Sequence, residues 1–452
     1  MPISLMYLAI MLIAIIIMFT VLKRPIYEAV FLSFLLLVTI SGNWTNVWTY
    51  IDEALSTSLL YSMVTFVAMS ILMTKTKIVD SCIGVILSLI GRLRGGAGYA
   101  AVVSSAFMGA FSGSGPGNVM ATGAITVPAM KRSGFPPELS ANIVSNSSYM
   151  GNMIPPSSNI VVALGAYTAL YPEENLTIGK FWIILWGISL WFILQRIVMV
   201  WSFCKHYNVE PMRKEDIPTF KQAIKEGWQG LLLPVIILLP FVFDYLCKDN
   251  FFTERLGADG AKYLSSSVLL FAGGVASFYA CIICRDRSLI KIKNLAKMYA
   301  GAVKSIAPTI GVCVFGYMIG SLFKDINVAE EMGEIISSWS FGKFGTVVAV
   351  CAITCFMGMV VPGSSLIVIF GSVFITVLES VGCSALLSAA MLPCICGVMC
   401  GITPPLGLGM YAGMTLAESD FSKTFKNNLW WVAAQFALEV IVLMGWLPIL
   451  GI

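Results

Sequence analysis

The amino-acid sequence predicts an all-α polytopic membrane protein built as two inverted repeats of five helices, each with a re-entrant hairpin and a broken helix. Three observations carry that prediction. The 452-residue chain is 58% hydrophobic and only 12% charged, about half the charge fraction of a soluble domain. Several of its apolar runs reach the roughly 20 residues needed to span hydrocarbon. The Gly- and Pro-rich motifs of the first half recur in the same order in the second.

Taken in order, the first repeat (1–204) opens with apolar spans at 5–22, 26–41 and 55–74. The N-terminal span runs into "LKRP" with no small-residue cleavage site, so it reads as a first transmembrane helix and not as a removed signal peptide. An amphipathic stretch (78–94) follows. The apolar region at about 97–130 is too long for one helix and is interrupted by Gly and Pro, so it reads as a hairpin. A span at 138–169 is broken by "NMIPPSS", and a span at 181–204 closes the repeat. A charged cytoplasmic connector (205–228) leads to the second repeat (229–452): spans at 229–247, 263–284 and 304–323, an amphipathic stretch (325–343) and a hairpin at about 345–378. A span at 383–416 broken by "GITPPLG" and a last span at 429–449 complete it.

The cationic residues fix the orientation, because Lys and Arg collect on the cytoplasmic side. With the N-terminus outside, only Lys180, Lys248, Arg255, Lys262, Lys324 and Lys343 of the 28 Lys and Arg face outward. An odd number of crossings then separates the two hairpins, so they enter from opposite faces. Inverted halves of this kind are an architecture of secondary transporters.

The motifs say what such an architecture holds. Pro155 and Pro156 in one half, and Pro404 and Pro405 in the other, must open their helices, since proline lacks an N–H and clashes with the preceding turn. The hairpin tips "SGSGPGN" and "VVPGSSL" align through Pro116 and Pro362 at nearly the spacing of the two Pro-Pro pairs. Freed carbonyls and hydroxyls suit a hard cation such as Na+, and helix N-terminal dipoles suit an anionic solute. Neither tip and neither break contains Asp, Glu, His or Lys, so coupling to sodium fits better than coupling to protons. The acid Glu439, midway along the last span, reads as paired with a neighbouring helix. Cys281 and Cys284 in "CIIC" read as small hydrophobes in an apolar helix, and His206, the only histidine, as a solvated loop residue. A net charge of +4 is too small to argue for nucleic acid; the partner that this composition demands is the lipid bilayer.

At "FSGSGPGNVMATGAITVPAMKRSGFPPELSANIVSNSSYMGNMIPPSS", "LLLPVIILLP" and "GITPPLGLGMYAG" the chain resembles the large membrane subunit of tripartite ATP-independent periplasmic (TRAP) transporters, within the wider ion-transporter superfamily. The resemblance implies an elevator mechanism, in which hairpins and broken helices form a transport domain moving against a scaffold. It also implies sodium coupling with two or more ions, a carboxylate-bearing organic solute and the bacterial inner membrane. The partners it implies are a small four-helix membrane subunit and a periplasmic substrate-binding protein. Carried over motif by motif, one sodium falls between Ser112, Gly113, Ser114 and Gly115 and the opening at Asn152 and Met153. A second falls between Val361, Pro362, Gly363 and Ser364 and the opening at Gly401 and Thr403. The solute would sit between the tips, with Asn118, Ser147, Ser148, Ser157 and Ser365 as hydrogen-bond donors. The tips lack the Asp common near those points in the family.

Alternatives stay open at this level. A stand-alone symporter of the same superfamily would need no binding protein, and a proton-coupled carrier would use Glu439. A channel would need a continuous polar pore. An intramembrane enzyme using Ser114 as a nucleophile would need a base within reach, and the motifs contain none.

Overall fold

The structure, a computed structural model, describes residues 3–56, 58–76, 78–112, 115–174, 176–247, 251–328, 331, 341–359, 361–404 and 407–452. Regular structure among them is helical, apart from an isolated antiparallel bridge between Arg94 and Pro211. The first half contains α1 (Ile3–Ile16), α2 (Ile26–Ser41), α3 (Val47–Ser56), α4 (Ser58–Lys75), α5 (Ile78–Ile90), α6 (Gly96–Ser112), α7 (Gly115–Arg132), α8 (Pro137–Met150), α9 (Ser158–Leu170) and α10 (Ile178–His206). After α11 (Phe220–Leu231), the second half contains α12 (Leu233–Cys247), α13 (Thr253–Ile283), α14 (Ile292–Asp325), α15 (Gly342–Gly358), α16 (Gly363–Ser380), α17 (Ala385–Leu392), α18 (Met399–Ile402), α19 (Leu408–Ala417) and α20 (Phe421–Leu443).

Helices α6 and α7 pack together, as do α15 and α16, over the stretches that the sequence reads as hairpins, and the helical path is interrupted at Gly151–Ser157 in one half and at Thr403 in the other. The first broken span bends by 42° between 137–153 and 158–170. Local chemistry sets these ends. Thr177 accepts from the Lys180 amide at 3.3 Å and starts α10, while Lys205 and His206 lie in its last turn, favourable at a helix C-terminus. Asp420 caps α20 through the Lys423 amide at 3.0 Å, and Ser384 caps α17 through the Leu387 amide at 3.3 Å.

By length and composition, four helices among the described residues can cross hydrocarbon, or up to six if each bent pair is one span. The sequence reading counts ten crossings. The difference has local causes: α1 and α2 have only 14 and 16 residues, α13 is kinked at Gly257 (φ +72°), and α20 carries Lys423, Lys426, Asn427, Asn428 and Gln435. Burial separates lipid-facing from interior spans. The most apolar stretch of Lys214–Asp244 is 22% buried, whereas Ala385–Ile402 is 89% buried. The part of the second broken span that leads into the break is therefore surrounded by protein, which is where irregular backbone is tolerated at membrane depth.

The helices pack in two groups. In one, α2 and α3 pack on α14, α12 on α13, and α13 on α4. In the other, α6, α7 and α8 pack mutually, α19 packs on α7 and α8, and α16 packs on α9 and α17, with α10 and α20 packed against the broken helices. The groups meet where α4 touches α6 and α9, and where α14 touches α16. Tyr50 and Asn46 both donate to Asp325, at 2.6 and 3.2 Å, and so tie α3 and the turn before it to the end of α14.

The connector is more ordered than a charged loop. Its helix α11 lies along α5, so close that a Cβ at Gly227 would sit 2.5 Å from the Ser81 carbonyl oxygen. The bridge at Arg94, the Arg94 guanidinium donating to the Val209 carbonyl at 3.0 Å and the Arg132–Asp216 ion pair at 3.2 Å fasten the connector beside the foot of the first hairpin. Lys343, at the foot of the second hairpin, instead donates to Gly382, and Tyr171, in the loop after α9, bonds Glu379. The feet of the two hairpins thus lie with different loops, as the inverted arrangement requires. The second amphipathic stretch (325–343) falls largely outside the described residues.

Candidate functional site

The site grows from the two breaks. α8 ends at Met150 and continues as a 3-10 turn, Gly151–Met153; Ile154 is extended, and the chain re-enters a helix after Ser157, whose hydroxyl accepts from the Asn159 amide at 3.4 Å. In the second half a π-helical turn, Pro393–Val398, precedes α18, Thr403 is extended, and α19 begins after Gly407. Sequence reasoning missed the π turn. Its signal was Pro393 inside an apolar run, because proline's missing N–H favours a register shift there.

The breaks meet. The Asn152 side chain donates to the Gly397 carbonyl at 3.2 Å, joining the first break to the π turn of the second. A Cβ on Gly397 would sit 3.2 Å from the Asn159 side-chain nitrogen Nδ2 and 3.6 Å from the Asn152 Cβ, so the two breaks lie against one another here.

Each hairpin presses on the same centre. A Cβ on Gly109 of α6 would sit 2.5 Å from the Gly151 Cα, so hairpin and break touch backbone to backbone. On the other side, the Gly363 amide points at the Cys400 sulfur at 3.1 Å, and a Cβ on Gly363 would lie 2.5 Å from both the Cys396 carbonyl oxygen and the Gly397 Cα. Tyr149 links the two halves: its ring fills the space that Cβ atoms at Gly115, Gly401 and Gly409 would need. Only glycine permits three backbones to surround one ring so closely.

Of the expected sodium-holding residues, Gly113 and Ser114 lie outside the described residues, Ser112 ends α6 and Gly115 begins α7. Asn152 and Met153 are buried in the 3-10 turn. Val361 is buried and its amide donates to Met357 at 2.8 Å; Pro362 precedes α16, and Ser364 is half-buried in its first turn. Gly401 faces Tyr149, and the Thr403 hydroxyl donates to the Met399 carbonyl at 2.7 Å, which leaves its oxygen lone pairs unspent. These tips and breaks hold backbone carbonyls, hydroxyls and one amide, a donor set for a hard cation.

The expected solute-facing residues divide. The Asn118 amide donates to the Ser105 and Ser148 carbonyls at 2.8 and 3.0 Å, and Ser105, Thr122 and Ser148 share hydroxyl contacts at 3.1 to 3.4 Å. Asn118 and Ser148 therefore knit the hairpin to α8, and their donors are spent there. The Asn118 Oδ1 and the Ser147 hydroxyl are buried with no partner among the described residues. Ser157 caps α9, and Ser365 is buried near the start of α16. Four helices, α7, α9, α16 and α19, start at the tips and breaks, so their positive dipole ends gather where an anion could be received.

A cavity of about 470 Å³ lies between the two helix groups, beside the contact of α14 with α16. It is walled by Val162 and Gly165 of α9, Val368 and Ser372 of α16, and Gly316 and Lys324 of α14.

Comparison with known proteins agrees with this arrangement. The family described as "Tripartite ATP-independent periplasmic transporter, DctM component" matches residues 5–450. The chain is similar to the C4-dicarboxylate TRAP transporter large permease protein DctM of Pseudomonas aeruginosa, with 24% identity over 78% of this chain and 76% of that protein. It is also similar to the DctM of Vibrio cholerae, with 23% identity over 85% of this chain and 84% of that one. Among solved structures, Neisseria gonorrhoeae MtrF superposes with a TM-score of 0.64 at 12% identity, over 88% of this chain and 83% of that one. Alcanivorax borkumensis YdaH superposes with a TM-score of 0.60 at 15% identity, over 91% and 90%. At that identity the structural likeness speaks for the fold alone, while the match of nearly the whole chain to one family speaks for kinship. With its paired hairpins and broken helices, the chain is a multi-pass membrane permease subunit and not an enzyme, and it belongs to the DctM component family of TRAP transporters.

Proposed function

We propose that the chain is the large permease subunit of a sodium-coupled importer of small organic anions, working by an elevator movement in the bacterial inner membrane. One observation carries this reading: both breaks and both hairpin tips converge on a single buried centre, joined through Asn152, Gly397 and Tyr149. A centre lined by carbonyls and hydroxyls and flanked by helix N-termini suits cations and an anion held together. No carboxylate or histidine stands in the tips or breaks to carry a proton. The solute class rests on relatives named for C4-dicarboxylates, isethionate and 2,3-diketo-L-gulonate, all organic anions. The division into repeats 1–204 and 229–452 about the connector is part of this reading, as are the small four-helix subunit and the periplasmic binding protein. In the elevator, α6–α9 and α15–α19 move as a body, and α1, α2, α4 and α12–α14 stay fixed. The cavity between the groups supports it, because it leaves a gap in their interface beside the close contact of Gly316 with Val368.

Thr403 tests the cation reading. Thr403→Val keeps the shape and removes the hydroxyl oxygen, at a cost of one ligand for a poorly solvated charge. The sodium concentration for half-maximal uptake should rise by about tenfold or more, the equivalent of one charge-assisted bond, with expression unchanged. Uptake by reconstituted vesicles across a sodium series reads this directly, and an unshifted midpoint would remove Thr403 from the cage.

A further inference from the structure

We infer that Ser189 and Asn428 are an equivalent pair of positioning residues, one in each half, that hold the two breaks in their open geometry. The Ser189 hydroxyl donates to the Met153 carbonyl at 3.2 Å, and the Asn428 side-chain amide donates to the Ile402 carbonyl at 2.6 Å. Met153 stands two residues before Pro155, and Ile402 two residues before Pro404. The same carbonyl is therefore taken in both halves, each time by the last helix of its own half, α10 or α20.

The chemistry explains why that carbonyl needs help. Residues two and three positions later are both proline in each motif and have no N–H to offer. In the first break the amide four positions on, that of Ser157, donates to Ile154 instead. A buried carbonyl left without a donor keeps its full desolvation penalty, and both donors reach it in the interior: Ser189 is 0% exposed and Asn428 1%. With the carbonyl satisfied from outside the span, the break can stay unwound without a ligand, and the backbone oxygens beside it stay aimed at the centre.

The two clamps differ in stiffness. The Asn428 oxygen accepts from the Asn146 amide at 2.9 Å. Asn146 also donates to the Asn142 carbonyl at 2.9 Å, and the Asn142 amide donates to the Thr424 carbonyl at 2.9 Å and to Asn427 at 2.8 Å. Three further asparagines, Asn142, Asn146 and Asn427, thus fix the Asn428 amide that holds the second break. A single hydroxyl with a longer bond holds the first.

This inference rests on the sodium reading for its transport consequence but not for its structural one, and the experiment separates them. Asn428→Leu, close to isosteric and without donors, should raise the sodium concentration for half-maximal uptake by threefold or more and leave the solute KM at saturating sodium nearly unchanged. It should also speed maleimide labelling of buried Cys400, which lies two residues before Ile402, read by mass spectrometry on the detergent-purified protein. Ser189→Ala should do the same at the first break with a smaller shift in sodium dependence and no effect on Cys400, and Ser189→Thr should restore the wild-type midpoint. If wild-type uptake ignores sodium, the sodium reading fails, and faster Cys400 labelling in Asn428→Leu still supports the clamp. If Asn428→Leu does not fold, Ser189→Ala against Ser189→Thr decides. Unchanged labelling and unchanged midpoints in folded variants would overturn the inference.

Discussion

Gly401→Ala is expected to abolish uptake, and trimming Tyr149 is expected to bring part of it back. The Tyr149 ring is enclosed by Gly115 at the first hairpin tip, Gly401 at the second break and Gly409 at the restart of α19. A Cβ at Gly401 would overlap the ring itself. Overpacking of a tight interior costs about 1–3 kcal/mol where neighbours can shift, but here the ring is held on three sides by backbone. The second break would have to move away from the first hairpin, separating the parts of the centre. In the double variant Gly401→Ala with Tyr149→Ala the obstruction is gone, so uptake should recover in part. Gly151→Ala supplies the control. Its Cβ would meet the backbone of Gly109, and no side-chain truncation can relieve that, so Tyr149→Ala should not rescue it. Initial uptake rates per reconstituted protein measure both cases. Full activity in Gly401→Ala would show that the three backbones do not enclose the ring during transport.

The second large effect concerns charge. Arg196 and Glu439 are 1% and 0% exposed. Gln435 bridges them: Arg196 donates to its carbonyl oxygen, and its amide donates to Glu439 at 2.7 Å and to the Cys394 sulfur at 3.1 Å. The network ties α10 and α20 to the π turn. Arg196 and Glu439 compensate one another through Gln435 and not as a direct ion pair; stranding one charge of a direct buried pair costs roughly 3–5 kcal/mol in soluble proteins, while replacing both by apolar groups is often neutral. Arg196→Met alone and Glu439→Leu alone should therefore each lower the thermal midpoint of the purified protein sharply, and the double variant should regain most of the loss. Glu439→Gln keeps an oxygen for Gln435 and Cys394, so the sodium midpoint of uptake should change little. Single variants as stable as the wild type would mean that the two charges do not compensate one another.

Much of the fold was legible because proline and glycine punctuate it. The Pro-Pro pairs open both spans, and the tips around Pro116 and Pro362 turn both hairpins, since these residues restrict or free the backbone whatever surrounds them. Glu439 was legible as an acid that needs a partner, but its short bond is to Gln435 one turn back on its own helix, and the neighbouring segment offers, among the described residues, only the Cys394 thiol at 3.6 Å. Its network was not legible. Arg196 reads as one more cytoplasmic cation when Lys and Arg are counted by position, and nothing in the local sequence names a partner on the last helix. The Tyr149 socket was hidden for a related reason: Gly115, Gly401 and Gly409 are distant in sequence, and a tyrosine among serines carries no mark of what it will touch. The hydroxyls and amides of Asn118 and Ser148 were visible as polar groups in a span, but whether such a donor faces a solute or a neighbouring helix depends on tertiary packing alone.

If the converging breaks and tips couple solute movement to sodium, uptake must follow the sodium gradient. The direct measurement is uptake of a labelled C4-dicarboxylate by proteoliposomes that hold the complete transporter with its partner subunits, driven in turn by an imposed sodium gradient and by an imposed proton gradient at equal sodium. Accumulation with the sodium gradient, none with the proton gradient, and a normal response in Glu439→Gln is the predicted result. Accumulation driven by protons alone and lost in Glu439→Gln would contradict the account.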